Sequence, residues 1–304
     1  MTAAMELWIA VTLSAAFFQT LRFMLHKVLS MGALSSTGST FARFAYALPA
    51  AALCTFGYLW IGGHDWPALG LAFWLYAWIG ALGQILATVC VVALFGQRNF
   101  AVGITFKKTE VIQTAIVGLI LLGENIAVLG WVAILVGLVG VLLLSETPGL
   151  GGNWLARMGS RAVALGLASG LFFAFSAVGY RAASLEIVSD APFVRSSVTL
   201  ICVVFSQVVA MLVWLAWRDP GQIAAVWAAR RTAIWLGLTS MAGSLSWFTA
   251  FTLQTAAYVQ ALGQVELVFS LMASVLFFKE RVTARELAGI GFLALSVLIL
   301  VMVL

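Results

Sequence analysis

Apolar residues run along this chain in blocks of about twenty or more, with short polar punctuation between them and no strict alternation inside them. About 20 mainly apolar residues are needed to carry a helix across the hydrocarbon core of a bilayer. Breaking the sequence at charged and Gly/Pro-bearing points gives ten such segments: 5–29, 36–61, 69–95, 100–122, 125–145, 161–185, 190–217, 232–255, 257–278 and 283–304. Their continuous apolarity predicts helices, because strands of a membrane barrel run to about ten residues and alternate. Trp60 and Trp66 flank the second connection, and Trp214, Trp217 and Trp227 the seventh, as aromatic residues do at a membrane interface.

Composition sharpens this into a choice of solvent. Of 304 residues 63% are apolar and 9% charged, with a mean hydropathy of +1.09. A soluble domain carries about 25% charged residues, so this chain has too little polar surface to face water. The net charge of +5 reads as loop charge that sets topology, not as a nucleic-acid patch, since no basic run with interleaved polar residues is present. Cys54, Cys90 and Cys202 all lie in apolar stretches, which argues against a disulfide framework. The first apolar stretch runs to about Val28 without a basic start, too long for a typical cleaved signal peptide. It is expected to be the first span.

One connector stands apart, the Gly/Pro-rich "ETPGLGGNWLARMGS" at 146–160. It divides the chain into two units of five spans, 1–145 and 161–304, and the units match. Glu110 falls against Glu266 and Glu124 against Glu280, each 156 residues apart. "SAAFF" (Ser14–Phe18) answers "SGLFF" (Ser169–Phe173), "FAR" (Phe41–Arg43) answers "FVR" (Phe193–Arg195), and Gln97 answers Gln254. Charged pairs in so apolar a background are rare. Five spans is an odd number, so the second unit enters the membrane inverted relative to the first. The expected fold is therefore an all-α integral membrane protein of ten transmembrane helices in a 5+5 inverted repeat, an architecture that places substrate near midplane between the repeats.

The ten spans, the 5+5 layout and the helix-ending "GEN" (Gly123–Asn125) and "KER" (Lys279–Arg281) resemble the drug/metabolite transporter superfamily, in its EamA-like branch. The resemblance covers nearly the whole chain and rests on the repeat layout. It implies transport of small metabolites, often export of amino acids or related compounds, through a central cavity. Orientation divides the two lines of reasoning. The odd-numbered connections hold the basic residues from Lys27 to Arg285, and the even-numbered ones only Arg181. Positive charge would put both termini outside, whereas the resemblance implies cytoplasmic termini.

An ionisable residue in the hydrocarbon region costs at least about 2.5–3.5 kcal/mol, so it faces a cavity or a partner. Lys107 and Glu110 are three apart and share a helix face with Gln113 and Thr114, while Lys108 belongs to another face. They lie roughly 10–15 Å into the fourth span by the helical rise. Two readings stay open: a Lys107–Glu110 pair locking helices together with Lys108 snorkelling, or side chains lining a transport path. Glu266 heads a stripe Gly263–Glu266–Ser270–Ser274, with Gln260 and Gln264 elsewhere on the same span. The two symmetric carboxylates either bind a proton or an amino group, or only pin interhelical hydrogen bonds. Arg43 and Arg195 suit fork-like binding of carboxylate or phosphate, with snorkelling as the plainer reading. Arg22 and His26 share a stripe with Thr12 and Gln19, and are expected to face the interface. Trp247 is a candidate cavity aromatic, with packing the plainer role. Glu124 and Glu280 are expected to open helices, where the helix dipole favours an acid.

A transporter accounts for the repeat, the short loops and the embedded charges together. A membrane-embedded enzyme is weakened by the chain's two histidines, His26 and His64, at no metal spacing, and by the absence of H-E-x-x-H and G-x-S-x-G. A scaffold has no reason to repeat itself in inverted form. The expected activity is secondary transport, in the direction of export, of a small polar metabolite such as an amino acid, by alternating access. Efflux of cationic drugs and transport of a phosphate-bearing metabolite are the alternatives. No cofactor, metal or nucleic acid is expected. The partners are a small-molecule substrate, the lipid bilayer and a coupling proton, in a multi-pass cell-membrane protein; monomer and homodimer stay open. The acid at 110 recurs at 266 and the lysines do not, which makes Lys107 and Lys108 the candidates for what distinguishes the substrate.

Overall fold

Lipid offers a backbone no hydrogen-bond partner, so a span must satisfy its own amides, and a helix does so. A computed structural model describes residues 3–30, 32, 34–95, 106–144, 161–269, 271–272 and 283–303, and these hold helices and no strand. The helices are α1 (Ala3–Ser30), α2 (Ser36–Gly62), α3 (Leu71–Leu94), α4 (Glu110–Leu122), α5 (Val128–Leu144), α6 (Arg161–Leu185), α7 (Pro192–Arg218), α8 (Gly221–Ala228), α9 (Arg230–Leu253), α10 (Ala256–Gly263) and α11 (Ala284–Val303). Six of them are long and apolar enough to cross a membrane: α1, α2, α3, α6, α7 and α11. α4 and α5 are shorter apolar helices.

The count among the described residues is eleven, not ten. Each expected segment overlaps a helix, and α8 is additional. It is an eight-residue helix in the connection between α7 and α9, with Val226 buried and Trp227 exposed. The hydropathy pattern passes over it because a helix of two turns has no span-length apolar run. α9 is less apolar than its neighbours for a different reason: Ser240, Ser244, Thr249 and Thr252 face inward. The connector 146–160, and Gln97, Ser270, Ser274 and Glu280 of the repeated pairs and stripe, lie outside the described residues.

Helices in lipid gain little from apolar contact itself, so close approach between small residues decides which ones pair. α3 runs against α6, α1 against α9, and α5 against α11. A Cβ on Gly179 would lie 2.9 Å from both the Gly80 nitrogen and the Tyr76 carbonyl, so α3 and α6 touch backbone to backbone. A Cβ on Gly140 would lie 2.8 Å from the Gly289 carbonyl, and the Ser296 hydroxyl donates to the Ala133 carbonyl at 2.7 Å, fixing α5 on α11. α2 packs on α7 and α9; α4 leans on α6, and α10 on α1. The outer surface left by these pairings is apolar, with Trp60, Trp217 and Trp227 exposed near helix ends.

Candidate functional site

The polar interior is organised by two interruptions in helices. Residues 106–107 are helical, 108–109 form a turn, and α4 restarts at Glu110. Residues 256–263 are helical as α10, 264–265 form a turn, and helix resumes at Glu266. The local cause is visible in the hydrogen bonds. The Thr109 amide bonds the Phe106 carbonyl and the Thr109 hydroxyl caps the same carbonyl at 2.7 Å. In the second break the amides of Gln264 and Val265 likewise reach back three residues, to Ala261 and Leu262. Three-residue reach is the tighter 3₁₀ geometry, which frees backbone groups and re-aims side chains.

Each break carries a glutamate that meets an ammonium and a side-chain amide. Glu110 accepts from Lys107 Nζ at 3.0 Å and from Gln264 Nε2 at 3.3 Å. Glu266 is paired with Lys108 and accepts from Gln19 Nε2. The partners cross over: Gln264 belongs to the second break and reaches the first, while Lys108 belongs to the first and reaches the second. All four charged side chains are buried. The same-face unit of Lys107 and Glu110 forms as the spacing implied, but Lys108 does not snorkel. It is buried and meets Glu266, so its ammonium is compensated by a carboxylate inside the protein and not by the interface.

Gly170 on α6 lets this turn dock. A Cβ there would lie 2.7 Å from Gln113 Oε1 and 3.1 Å from the Lys107 carbonyl. Gly263 does the same for the second break, where a Cβ would fall 2.3 Å from the Trp247 ring.

Beside the breaks lies a half-open cavity with about 430 Å³ of unfilled space, part of it open to the outside. Its lining mixes charged and polar groups, Arg22, Lys107, Glu110, Gln19 and Gln260, with the aromatic rings of Phe173, Trp247, Phe248 and Phe251. Gln19 ties the two together, since its Oε1 accepts from Arg22 Nη2 at 2.7 Å and from Trp247 Nε1 at 3.1 Å. Tyr180 stacks on Phe248 with ring centroids 4.1 Å apart, and it donates to Gln84 Oε1 at 3.0 Å. Gln207 Nε2 reaches both the Gln84 and Tyr180 oxygens. A smaller cavity, of about 230 Å³, has Lys108 and Gln264 on an otherwise apolar wall.

The other expected site residues divide. Arg22 is 2% exposed and His26 fully buried, so neither faces the interface; Arg22 lines the cavity. The stripe they share with Thr12 and Gln19 turns inward because α1 is packed on both α9 and α10. Arg43 is buried too, donating to Thr88 at 2.8 Å. Its expected mate Arg195 is elsewhere, at the start of α7, donating to the Ser189 carbonyl at 2.7 Å. Gln113 bonds Thr109 at 3.3 Å and stays off the cavity wall. Trp247 lines the cavity and packs on Phe251. Glu124 follows the left-handed Gly123 that ends α4, four residues before α5 begins, and it pairs with Arg181 and not with a helix dipole. Arg181 also caps the Phe251 and Gln254 carbonyls at the end of α9. Gln84, Tyr180 and Gln207 were not anticipated; a Tyr and two Gln in separate spans carry no spacing signal that would join them.

Comparison with known proteins agrees with this layout. The sequence model of the EamA-like transporter family matches residues 160–302. A Sinorhizobium protein described as an uncharacterized transporter in the cobO 3′ region is 30% identical over 137 residues, which is 44% of this chain and 92% of that protein. A crystal structure of a protein 13% identical to this chain superposes with a TM-score of 0.71 over 97% of each chain, a likeness of fold.

Proposed function

The chain belongs to the EamA-like transporter family of the drug/metabolite transporter superfamily, and from that premise we propose a secondary transporter that exports a small polar metabolite, such as an amino acid, by alternating access. It is a multi-pass membrane protein, and the cell membrane is its proposed location. The carrying observation is the pair of helix breaks. Lys108–Thr109 and Gln264–Val265 are turns in positions 156 residues apart, each just before a glutamate, and they face one another beside the central cavity. Interrupted spans at corresponding points of two halves are what secondary carriers use to put polar groups at midplane.

The helix pairings support a 5+5 inverted repeat. Exchanging α1 with α6, α2 with α7, α3 with α9, α4 with α10 and α5 with α11 turns the α3–α6 contact into α9–α1, and α4–α6 into α10–α1. α5–α11 and α2–α7 map onto themselves. The Sinorhizobium relative points the same way, since nearly its whole length matches less than half of this chain. The cross-half bonds, Lys108 to Glu266 and Gln264 to Glu110, are the contacts that rocking of one half on the other would break and remake.

Reconstitution in vesicles tests the carrier. Accumulation of a loaded metabolite on the far side, dependent on the protein, is expected; no flux of any metabolite, with a lipid chemically altered instead, would refute it. Glu110 and Glu266 are the proposed proton-coupling groups. Flux of Glu110→Gln and Glu266→Gln should lose its dependence on pH, and wild-type profiles in both would remove them from the coupling step.

A further inference from the structure

The charges in the interior do not cancel. Four bases are buried among the described residues of the spans, Arg22, Arg43, Lys107 and Lys108, against two acids, Glu110 and Glu266. The two lysines take the two acids as ion-pair partners. Neither arginine has a carboxylate in contact among the described residues. Arg22 gives Nη2 to Gln19 and Arg43 gives Nη1 to Thr88, both neutral acceptors. Arg22 Nε and Arg43 Nη2 are buried and have no acceptor among the described residues. Each guanidinium instead lies over an aromatic face, Phe23 at 5.3 Å and Phe44 at 4.9 Å. His26, one turn beyond Arg22, bonds Ser39 through Nδ1 and leaves Nε2 unpartnered.

Glu266 is within electrostatic reach of Arg22 but is not bonded to it, and among the described residues no other acid is placed to serve the two arginines. The chain has eleven. Glu124 is bound to Arg181, while Asp65, Glu186, Asp190 and Asp219 lie in connections and Glu286, half-buried near the start of α11, bonds Thr283. Glu6 precedes Arg22 by sixteen positions on α1, about 24 Å at the helical rise. Glu146 and Glu280 fall outside the described residues.

A buried N–H without an acceptor and a buried charge without a counter-charge are both costly. A protein keeps them where a ligand completes them, and a guanidinium fork matches the two oxygens of a carboxylate or phosphoryl group. Arg22 is on the cavity wall, and Arg43 stands behind it within electrostatic reach of both Arg22 and Tyr180. Glu110 is already engaged by Lys107 and Gln264, so it offers little to a substrate ammonium. We propose that Arg22, with Arg43 behind it, anchors an oxyanion, and that the transported metabolite carries net negative charge in a carboxylate or phosphoryl group, in preference to a zwitterion or a cation. This rests on the carrier reading for the word "transported" and on the geometry alone for the anion. The aromatic rings that line the same cavity, Phe173, Trp247, Phe248 and Phe251, would then receive the apolar body of the molecule.

The test is a binding titration of the full chain in nanodiscs, read by tryptophan fluorescence at constant ionic strength. The probes are glutamate against glutamine, succinate against succinamide, lysine, and inorganic phosphate. At least one acid should bind about tenfold or more tighter than its amide, and lysine should not compete. Arg22→Gln should weaken that acid about 10- to 100-fold, the range expected for a charge-assisted bond. Arg22→Lys, which keeps the charge without the fork, should fall between. The acid–amide comparison uses the wild type, so it decides the matter even where a variant does not fold. Equal binding of acid and amide, preference for lysine, or acid binding undiminished in Arg22→Gln overturns the proposal. Inorganic phosphate binding more tightly than every organic acid would assign the site to a free anion and overturn the metabolite half of it. Acids that bind while nothing crosses vesicles would sink the carrier reading and leave the oxyanion site standing; flux of a neutral metabolite with no acid binding would do the reverse.

Discussion

Two clusters of buried charge lie side by side here and obey different rules. At the helix breaks, Lys107, Lys108, Glu110 and Glu266 form two ion pairs, and each carboxylate has an added amide donor. On α1 and α2, Arg22 and Arg43 have only neutral acceptors and unfilled N–H groups. The first cluster is complete without a ligand, so it can be read as the joint between two halves of the molecule. The second is incomplete, so it can be read as half of a complex. Burial is the same in both; what separates them is whether a carboxylate among the described residues is bonded to the cation, since Glu266 reaches Arg22 only through space.

Breaking the complete cluster should do the most damage. Glu266→Ala leaves Lys108 a buried ammonium with no partner and strips Gln19 of its acceptor. Removing one member of a buried pair costs about 3–5 kcal/mol, so the purified protein should unfold at a clearly lower temperature. Lys108→Met added to Glu266→Ala should recover much of that loss. A Glu266→Ala protein as stable as wild type would mean that the pair is not dry in the working protein.

The incomplete cluster should answer with the opposite sign. Arg43→Met removes an uncompensated charge and an orphan N–H, and its unbranched chain can keep the contact with Phe44. Relief of an unsatisfied buried donor is worth about 1–3 kcal/mol, offset in part by the lost Thr88 bond. In the absence of ligand the variant should be as stable as wild type or more so, while acid binding weakens. This is the trade between stability and activity expected where a site is left strained for use. Destabilisation on the scale of Glu266→Ala would show that Arg43 is structural.

Much of this could be read in the residues. The apolar blocks gave ten segments that each meet a helix, and the rarity of charge in them singled out Lys107, Lys108, Glu110 and Glu266 before any geometry. Periodicity put Lys107 with Glu110 and Lys108 on another face, but it works within one helix and could not say that Lys108 would find Glu266, 158 residues on. The same limit misplaced Arg22 and His26. Their depth along α1 suited an interface, and only the packing of α1 against α9 and α10 turns that stripe inward. Arg43 and Arg195 match in sequence yet part company in space, because Arg195 is captured by the carbonyl of Ser189 just before its own helix. The breaks at 108–109 and 264–265 were hidden as well: neither contains Gly or Pro at the turn itself, so no local punctuation announces them.

Gln19 is hydrogen-bonded to both clusters, and the smallest expected effect comes from loosening its hold. Its amide orientation is fixed by three neighbours, with Oε1 taking Arg22 and Trp247, and Nε2 giving to Glu266. Trp247→Phe removes the indole donor and leaves the other two, a loss of about 0.5–1.5 kcal/mol for one neutral hydrogen bond. Some contact over the bare backbone of Gly263 goes with it, since the indole reaches into the space a Cβ there would fill. Stability should therefore drop slightly, and acid affinity by a few-fold, as Arg22 loses part of the support that aims it. Gln19→Ala makes the sharper comparison, because it takes an acceptor from Arg22 and a donor from Glu266 in one step. If Gln19 couples the complete cluster to the incomplete one, bound acid should stabilise wild type more than Trp247→Phe, and Trp247→Phe more than Gln19→Ala. An equal stabilisation by acid in all three would show that the two clusters act independently.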